Sequence, residues 1–575
     1  MIDEPPPIAL PDPANRDQLI CGFTAREWGD KIEADLKHRR VITRAAHDLI
    51  RRYTGEAKTL TNFEFELVSV VTPSLAYTLP KCRVTDGGAE DEQTEDTTVG
   101  LNCLIAQNGL AEQTQLLAID QAFSFAVAMV LLEETPGLLA KVDLVPLRPV
   151  VRRISPNMYF RDCESVGFSR VRHEGHLWVE KIQALEGATN ADGSRKYDNT
   201  QLTGLQPGTL DSQVRADLML DGVSVDADER DRIVCSTVYV ADEDVLLTFA
   251  MADTEPRLLR KVKAQCAGQS PYTLFSIYAA PDRVYPVAPL QATAAWLEVH
   301  EKMTKSIIEQ AIQAKTLAFV DSQQPGISEL TRTAPHAAIV SIPGLNGKPV
   351  MVEFPGVNAD HMAVTKYASD QADRRVGLSE QARGITTSGT ATDAAIAGQF
   401  TDIKTKYQQM MFTRGLSLVL GKVVNLMNES DDVIFPVSKD GRRATFYGGV
   451  EDDQRDAERI WRRDATIEIE PFSMAYTNSS TLRQQMIEFI TLAMDVADRS
   501  LANPAIQAGQ IIGDMGQHFN IAKAAERYIN VAMAGMPGMP GMTPGMLAGM
   551  PGVAADPARA PGGQANPSRM VPANL

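Results

Sequence analysis

The feature that most constrains this chain is a helical pattern nearly forty residues long. From Thr390 to Asn428, apolar residues recur at Ile396, Phe400, Ile403, Tyr407 and Met410. Their steps of four, three, four and three predict one continuous apolar seam. At 1.5 Å per residue the helix would be on the order of 55 Å long. Thr390, with Asp393 three positions later, resembles a capping box in which Asp replaces the usual Glu. Gly415 and Gly421 each cost a helix interior about 1 kcal/mol relative to alanine and are candidate bends. Immediately before this helix stands Gly384-Ile385-Thr386-Thr387-Ser388-Gly389, a small, hydroxyl-rich stretch. No charge follows it until Asp393.

The rest of the chain predicts an α+β protein. Trp28, Ile32, Leu36, Ile42, Ala46, Leu49 and Tyr53 are spaced as on a helix over 25–53. A polar acidic stretch at 85–96 reads as a loop, and 101–134 as a long helix ended by Pro136 and Gly137. Between about 143 and 285 short β-like runs predict a substantial sheet, interrupted by a polar loop at 187–213. Helix returns over 289–320 with two apolar stripes, one of Leu290, Ala294 and Leu297, the other of Trp296, Val299, Met303 and Ile307. Two stripes imply two neighbours. Residues 337–354 read as a β-hairpin closed around Asn346-Gly347 with Pro349 at an edge. A helix over 360–383 precedes the hydroxyl-rich loop. Three short strands follow the long helix, then two helices over 480–497 and 521–534. The Met/Gly/Pro-rich segment from about 532 onward cannot form a packed core and reads as disordered.

Length alone suggests roughly three or four folding units. Apolar residues make up 44% of the chain and aromatics only 6%, so the core must be largely aliphatic. The formal charge of −17 argues against a protein that grips nucleic acid through a basic face. Six cysteines, none in a CxxC pair, read as isolated thiols in a reducing compartment. No signal peptide is expected at the N-terminus, and the apolar run 122–132 is too short to span a bilayer. The reading is of a soluble chain, cytoplasmic in origin.

Catalytic motifs are thin. His173 and His176 flank Glu174 but stand three apart, whereas the zinc-protease motif needs histidines four apart on a helix. The following residues alternate like a strand, so packing histidines are expected. A P-loop reading of 384–389 lacks its lysine, since the first lysine after the loop is Lys404, well along the helix. There is no nucleophile elbow, and the acidic 90–96 segment lacks the calcium-loop pattern. No catalytic residue, cofactor or metal ligand is expected.

The order of elements resembles the portal protein, or head-to-tail connector, of tailed bacteriophages. Three stretches carry the resemblance. Residues 270–303 are similar to the entry into the family's first stem helix, with Pro271, Tyr285, Pro286, Pro289, Leu290 and Gln291 in place. Residues 387–396 resemble the Thr-Ala-Thr-Glu element that opens the long helix, with Asp393 in place of Glu. Residues 154–178 are similar to a wing segment in which a strand precedes an Asp and later a His. The resemblance spans roughly residues 25–500.

It implies the portal fold, with long helices and a β-rich wing. Residues 1–24 would be an extended arm, 25–288 the wing, 289–316 the first stem helix and 317–358 the clip. Residues 359–383 would be the second stem helix and 384–389 the tunnel loop. The long helix and further wing strands would occupy 390–479, and crown helices 480–531. The implied assembly is a twelve-subunit ring at one capsid vertex of the virion, formed in the host cytoplasm, without a membrane. It would pass double-stranded DNA during packaging and ejection. Its implied partners are the terminase motor, the major capsid and scaffolding proteins, and head-completion or tail adaptor proteins.

On this reading Gly384, Ile385, Thr386, Thr387, Ser388 and Gly389 face the DNA. The hydroxyls of Thr386, Thr387 and Ser388 would touch phosphates without fixing a register. The flanking glycines would leave the backbone free. Twelve copies at −17 would carry about −204, a field of the same sign as DNA. The candidate channel helix 360–383 is itself neutral, with Asp360, Asp370, Asp373 and Glu380 against Lys366, Arg374, Arg375 and Arg383. The alternatives are a ring-forming virion adaptor that never encloses DNA, and an enzyme resting only on His173 and His176.

Overall fold

Thr24 caps the first element, the helix that the apolar spacing predicts over 25–53. In the computed structural model its hydroxyl accepts from the Glu27 amide at 3.3 Å, and Glu27 accepts from the Thr24 amide at 2.7 Å. This reciprocal cap satisfies two amides that a helix start would otherwise leave open. Helix α1 follows over Ala25–Tyr53. The structure describes residues 19–447 with gaps, the longer being 57–61, 86–91, 135–146, 166–170, 206–231, 322–338, 343–349 and 377–390, together with 466–469 and 491–492. By contacts the chain divides into Met1–Tyr476 and Thr477–Leu575, and the elements below lie in the first unit.

Helix α2 spans Phe63–Leu75 and strand β1 Cys82–Thr85. The expected long helix over 101–134 is three elements: α3 (Glu92–Gln107), α4 (Leu110–Phe123) and strand β2 (Ala126–Glu134). Helix α3 also begins inside the stretch expected to be an acidic loop. Gly109, at φ +63°, makes the break between the helices, a backbone conformation that glycine adopts without penalty. The Ala126–Glu134 segment is fully apolar at its start, and such a run carries no period to separate strand from helix.

Strands β3 (Leu147–Ile154), β4 (Tyr159–Arg161) and β5 (His173–Lys181) come next, then short helices α5 (Ile182–Gly187) and α6 (Asn199–Leu202). Strands β6 (Arg232–Val240), β7 (Val245–Ala250), β8 (Arg257–Lys263) and β9 (Tyr272–Phe275) follow. They form two sheets. Five consecutive strands, β4 to β8, make an antiparallel meander, while β2 sits between β3 and β9 in a second sheet. Trp28, Ile32 and Leu36 of α1 pack on the first sheet with Phe160, Val238, Leu247 and Phe249.

A 3₁₀ turn at Gln291–Thr293 leads into α7 (Ala294–Gln313). This is shorter than the expected 289–320 and stops before 316, because β10 (Lys315–Asp321) begins after a single intervening residue. Strands β11 (Ile339–Ile342) and β12 (Val350–Phe354) do not form the expected hairpin. Both pair with β10, β11 in parallel and β12 antiparallel, so β10 is the central strand.

Helix α8 spans Ala359–Val376, and α9 spans Ala391–Glu429, 39 residues in all. Strands β13 (Ile434–Lys439) and β14 (Arg442–Tyr447) form a hairpin, and β15 (Thr466–Ile469) pairs antiparallel with β1. The helices expected over 480–497 and 521–534 and the tail from 532 lie outside the described residues, save for 491–492.

The C-terminal part of α9 runs through the largest core. Phe412, Leu416, Val419, Leu420, Val423, Val424 and Met427 are buried against α2, α3, α4 and the β3-β2-β9 sheet. Burying each such side chain contributes about 1.5–3 kcal/mol. Ile403–Met427 is long and apolar enough to cross a membrane, but 56% of its most apolar window is buried in the protein. Its composition is that of a core helix. Gly415 is the point of closest approach: a Cβ there would lie 2.4 Å from the Phe275 ring. All six cysteines are free thiols, as expected.

Candidate functional site

The continuous apolar seam read from the sequence on the long helix lies largely in the open. Ile403 is 64% exposed, Tyr407 40% and Met410 57%. Leu418, two further turns along the same face, is also exposed. The side that packs in the core is the one carrying Phe412, Leu416 and Val419. The sequence recorded a real stripe, but no described residue of the chain covers it. Ile396 and Phe400 continue the stripe in sequence.

Helices α7 and α8 pair with each other. Trp296 meets Tyr367 edge-on at 5.6 Å, and the Arg375 guanidinium lies over the Trp296 ring at 5.7 Å while donating to the Ala292 carbonyl at 2.7 Å. Near the other end Gln310 and His361 share a hydrogen bond of 3.0 Å. Leu290 and Leu297 of the first α7 stripe are buried, whereas the second stripe, from Trp296 to Ile307, is only partly covered. Ile308 and Ile312 on α7, and Met362, Val364 and Tyr367 on α8, are exposed. Most of the large apolar side chains exposed among the described residues stand on these three helices.

The end of α8 is gripped by α9. Gln408 donates to the Val376 carbonyl at 2.9 Å, and Lys404 donates to the Arg374 carbonyl. These are terminal carbonyls that a helix end leaves unsatisfied. Lys404 lies thirteen residues inside α9, so about 20 Å of that helix precedes the grip. The residues singled out by sequence, Gly384 to Gly389, belong to the segment joining Val376 to Ala391 and lie outside the described residues, as do Thr390 and the side chain of Asp393. Over its described length α8 carries Asp360, Asp370 and Asp373 against Lys366, Arg374 and Arg375, balanced as the sequence predicts; Asp373 is buried.

The two histidines of the 172–176 stretch are split by the strand. Three apart on β5, they face opposite sides of the sheet. His176 Nδ1 shares a 2.7 Å hydrogen bond with the Tyr272 hydroxyl, and burial pushes its pKa down to about 4. His173 points instead to α1, where its Nε2 lies 2.7 Å from Asp35 Oδ2. Asp162, just after β4, joins them, and one ligating atom from each of the three lies within 4.8 Å of the others. All three residues are buried, at 2%, 2% and 4% exposure for Asp35, Asp162 and His173. Asp35 Oδ1 accepts from the Cys163 amide at 2.9 Å. Asp162 accepts from the Glu164 amide at 3.0 Å and from the Ser165 hydroxyl at 2.6 Å. Burial first, then the contact with Asp35, pushes the Cys163 thiol up to about 12. Sequence reasoning weighed His173 with the wrong histidine, since its partner Asp35 stands 138 residues away.

A second buried polar group ties α9 to the sheet. Lys422 donates to the Tyr272 carbonyl at 2.6 Å and to the Thr273 hydroxyl at 2.8 Å. Burial pushes its pKa below the ordinary lysine value. No known family model matches the chain, and no curated protein matches it.

Proposed function

We propose that this chain is a ring-forming portal of a tailed bacteriophage, a structural channel for double-stranded DNA at one capsid vertex. The observation that carries the reading is the run α7, three-stranded sheet, α8, joining segment, α9, with apolar side chains on all three helices left uncovered among the described residues. Exposed apolar surface on neighbouring long helices calls for a partner. A second copy docking head-to-tail on the next, by a heterologous contact, generates a ring when the rotation closes.

On this reading α7 and α8 are the stem, the β11-β10-β12 sheet is the clip that meets the terminase motor and later the tail adaptors, and Gly384–Gly389 is the loop nearest the DNA. The grip of Lys404 and Gln408 on α8 then gives that loop a firm base. A neutral hydroxyl-bearing loop passes a polyanion that a lysine would hold by charge-assisted bonds. The helix α8 supplies no like-charged wall, so the acidity of the assembly resides elsewhere on the chain.

Negative-stain imaging of the purified chain tests the ring: annular particles with a central hole are expected, and a chain that stays monomeric at high concentration overturns the reading. Inserting two lysines within 384–389 tests the channel. Rings that form normally but package DNA poorly are expected. Unchanged packaging would favour the second reading, an adaptor ring that does not enclose DNA.

A further inference from the structure

We propose that Asp35, Asp162 and His173 form a structural binding site for a divalent zinc-type cation inside the first unit. The three side chains come from distant parts of the chain: helix α1, the turn after β4, and strand β5. Each offers one ligand atom, and the three atoms converge to within 4.8 Å in a region closed to solvent.

Zinc takes nitrogen and oxygen ligands at about 2.0–2.2 Å in a tetrahedral arrangement, which sets neighbouring donors roughly 3.3–3.5 Å apart. The contact between His173 and Asp35 is 2.7 Å. Small side-chain rotations, opening that contact and drawing Asp162 inward, reach the required spacing. The donor set of one imidazole and two carboxylates suits zinc better than calcium or magnesium, which take oxygen ligands throughout.

The surroundings are built as metal-ligating groups require, with further partners that fix each ligand. The Cys163 amide holds Asp35, and the Glu164 amide and Ser165 hydroxyl hold Asp162. The indole of Trp28 stands edge-on to the His173 ring at 5.4 Å and limits its rotation. An ion here would cross-link α1 to the sheet it packs on, independently of any assembly into rings.

The test uses the full-length chain, stripped with a chelator and dialysed, then titrated with zinc chloride against a chromogenic zinc indicator. Binding of about one zinc per chain is expected, with affinity reduced at least tenfold in Asp162→Asn and in His173→Gln. Zinc should raise the thermal midpoint of the wild-type chain and leave that of Asp162→Asn unchanged. Asp370→Asn, on a distant helix, should bind like wild type. If the stripped wild-type chain takes up no zinc at micromolar concentration, the three residues are a hydrogen-bonded cluster and the proposal fails. Equal uptake by wild type and Asp162→Asn, with the variant's circular dichroism unchanged, overturns it as well.

Discussion

Gly415 and Gly421 look alike in the sequence, each a glycine inside a long helix and each a candidate bend. Their surroundings separate them. At Gly415 an added methyl would press on the ring of Phe275, itself buried and packed on Phe412 at 5.5 Å. At Gly421 the nearest atom is a methyl of Ile467 at 3.8 Å, an ordinary contact. Alanine gains about 1 kcal/mol in a helix interior, but overpacking a core costs about 1–3 kcal/mol. Gly415→Ala is therefore expected to lower the thermal midpoint and Gly421→Ala to hold or raise it. A second residue-scale prediction concerns acid. The folded chain holds His176 at about 4, against 6.5 for the free side chain. Between those values the unfolded chain binds the extra proton, so stability falls as pH drops through this window and levels off below about 4. At pH 5 the loss is about 2 kcal/mol, an upper figure because His176 is only partly covered. Denaturation at pH 7 and pH 5 checks this, with His176→Gln expected to flatten the difference.

At the scale of elements, what was legible depended on how local the causes were. Helix α1 was predicted over its full length because the spacing of Trp28, Ile32 and Leu36 is a short-range signal; the Thr24–Glu27 cap is equally local but was not read. Thr24→Ala should cost about 1 kcal/mol, read as a lower thermal midpoint, through loss of that cap. Three of the meander strands, β5, β6 and β7, were also legible, since alternation is local; β8 was not read as a strand. The strand β2 was not, because a strand buried on both faces has no period to read. Nor was the sheet around β10. A turn-like Asn346-Gly347 suggested that 339–342 and 350–354 pair with each other, whereas each pairs with a strand that precedes both. The pairing of Asp35 with His173 was invisible for the same reason: it exists only once α1 lies on the sheet.

For the whole molecule, the seam on α9 is where the sequence bears on the proposed assembly. Its period was correct, and what covers it was not readable from one chain. Replacing Ile403 and Met410 together with glutamate removes apolar surface that the folded subunit leaves exposed, so the monomer should keep its thermal midpoint. If the seam joins copies, the same variant should elute as a smaller species in size-exclusion chromatography with light scattering. An unchanged assembly would place the contact elsewhere. The pairing of β10 with β12 has a mechanical consequence. One strand continues α7 and the other leads into α8, with Lys315 opposite Phe354. That register acts as a vernier for the two helices: a slip of one residue would offset them by about 3.4 Å. The misfit would be felt at Trp296, roughly 25 Å down the hairpin. A load applied at the tip of the hairpin is thus reported at its root.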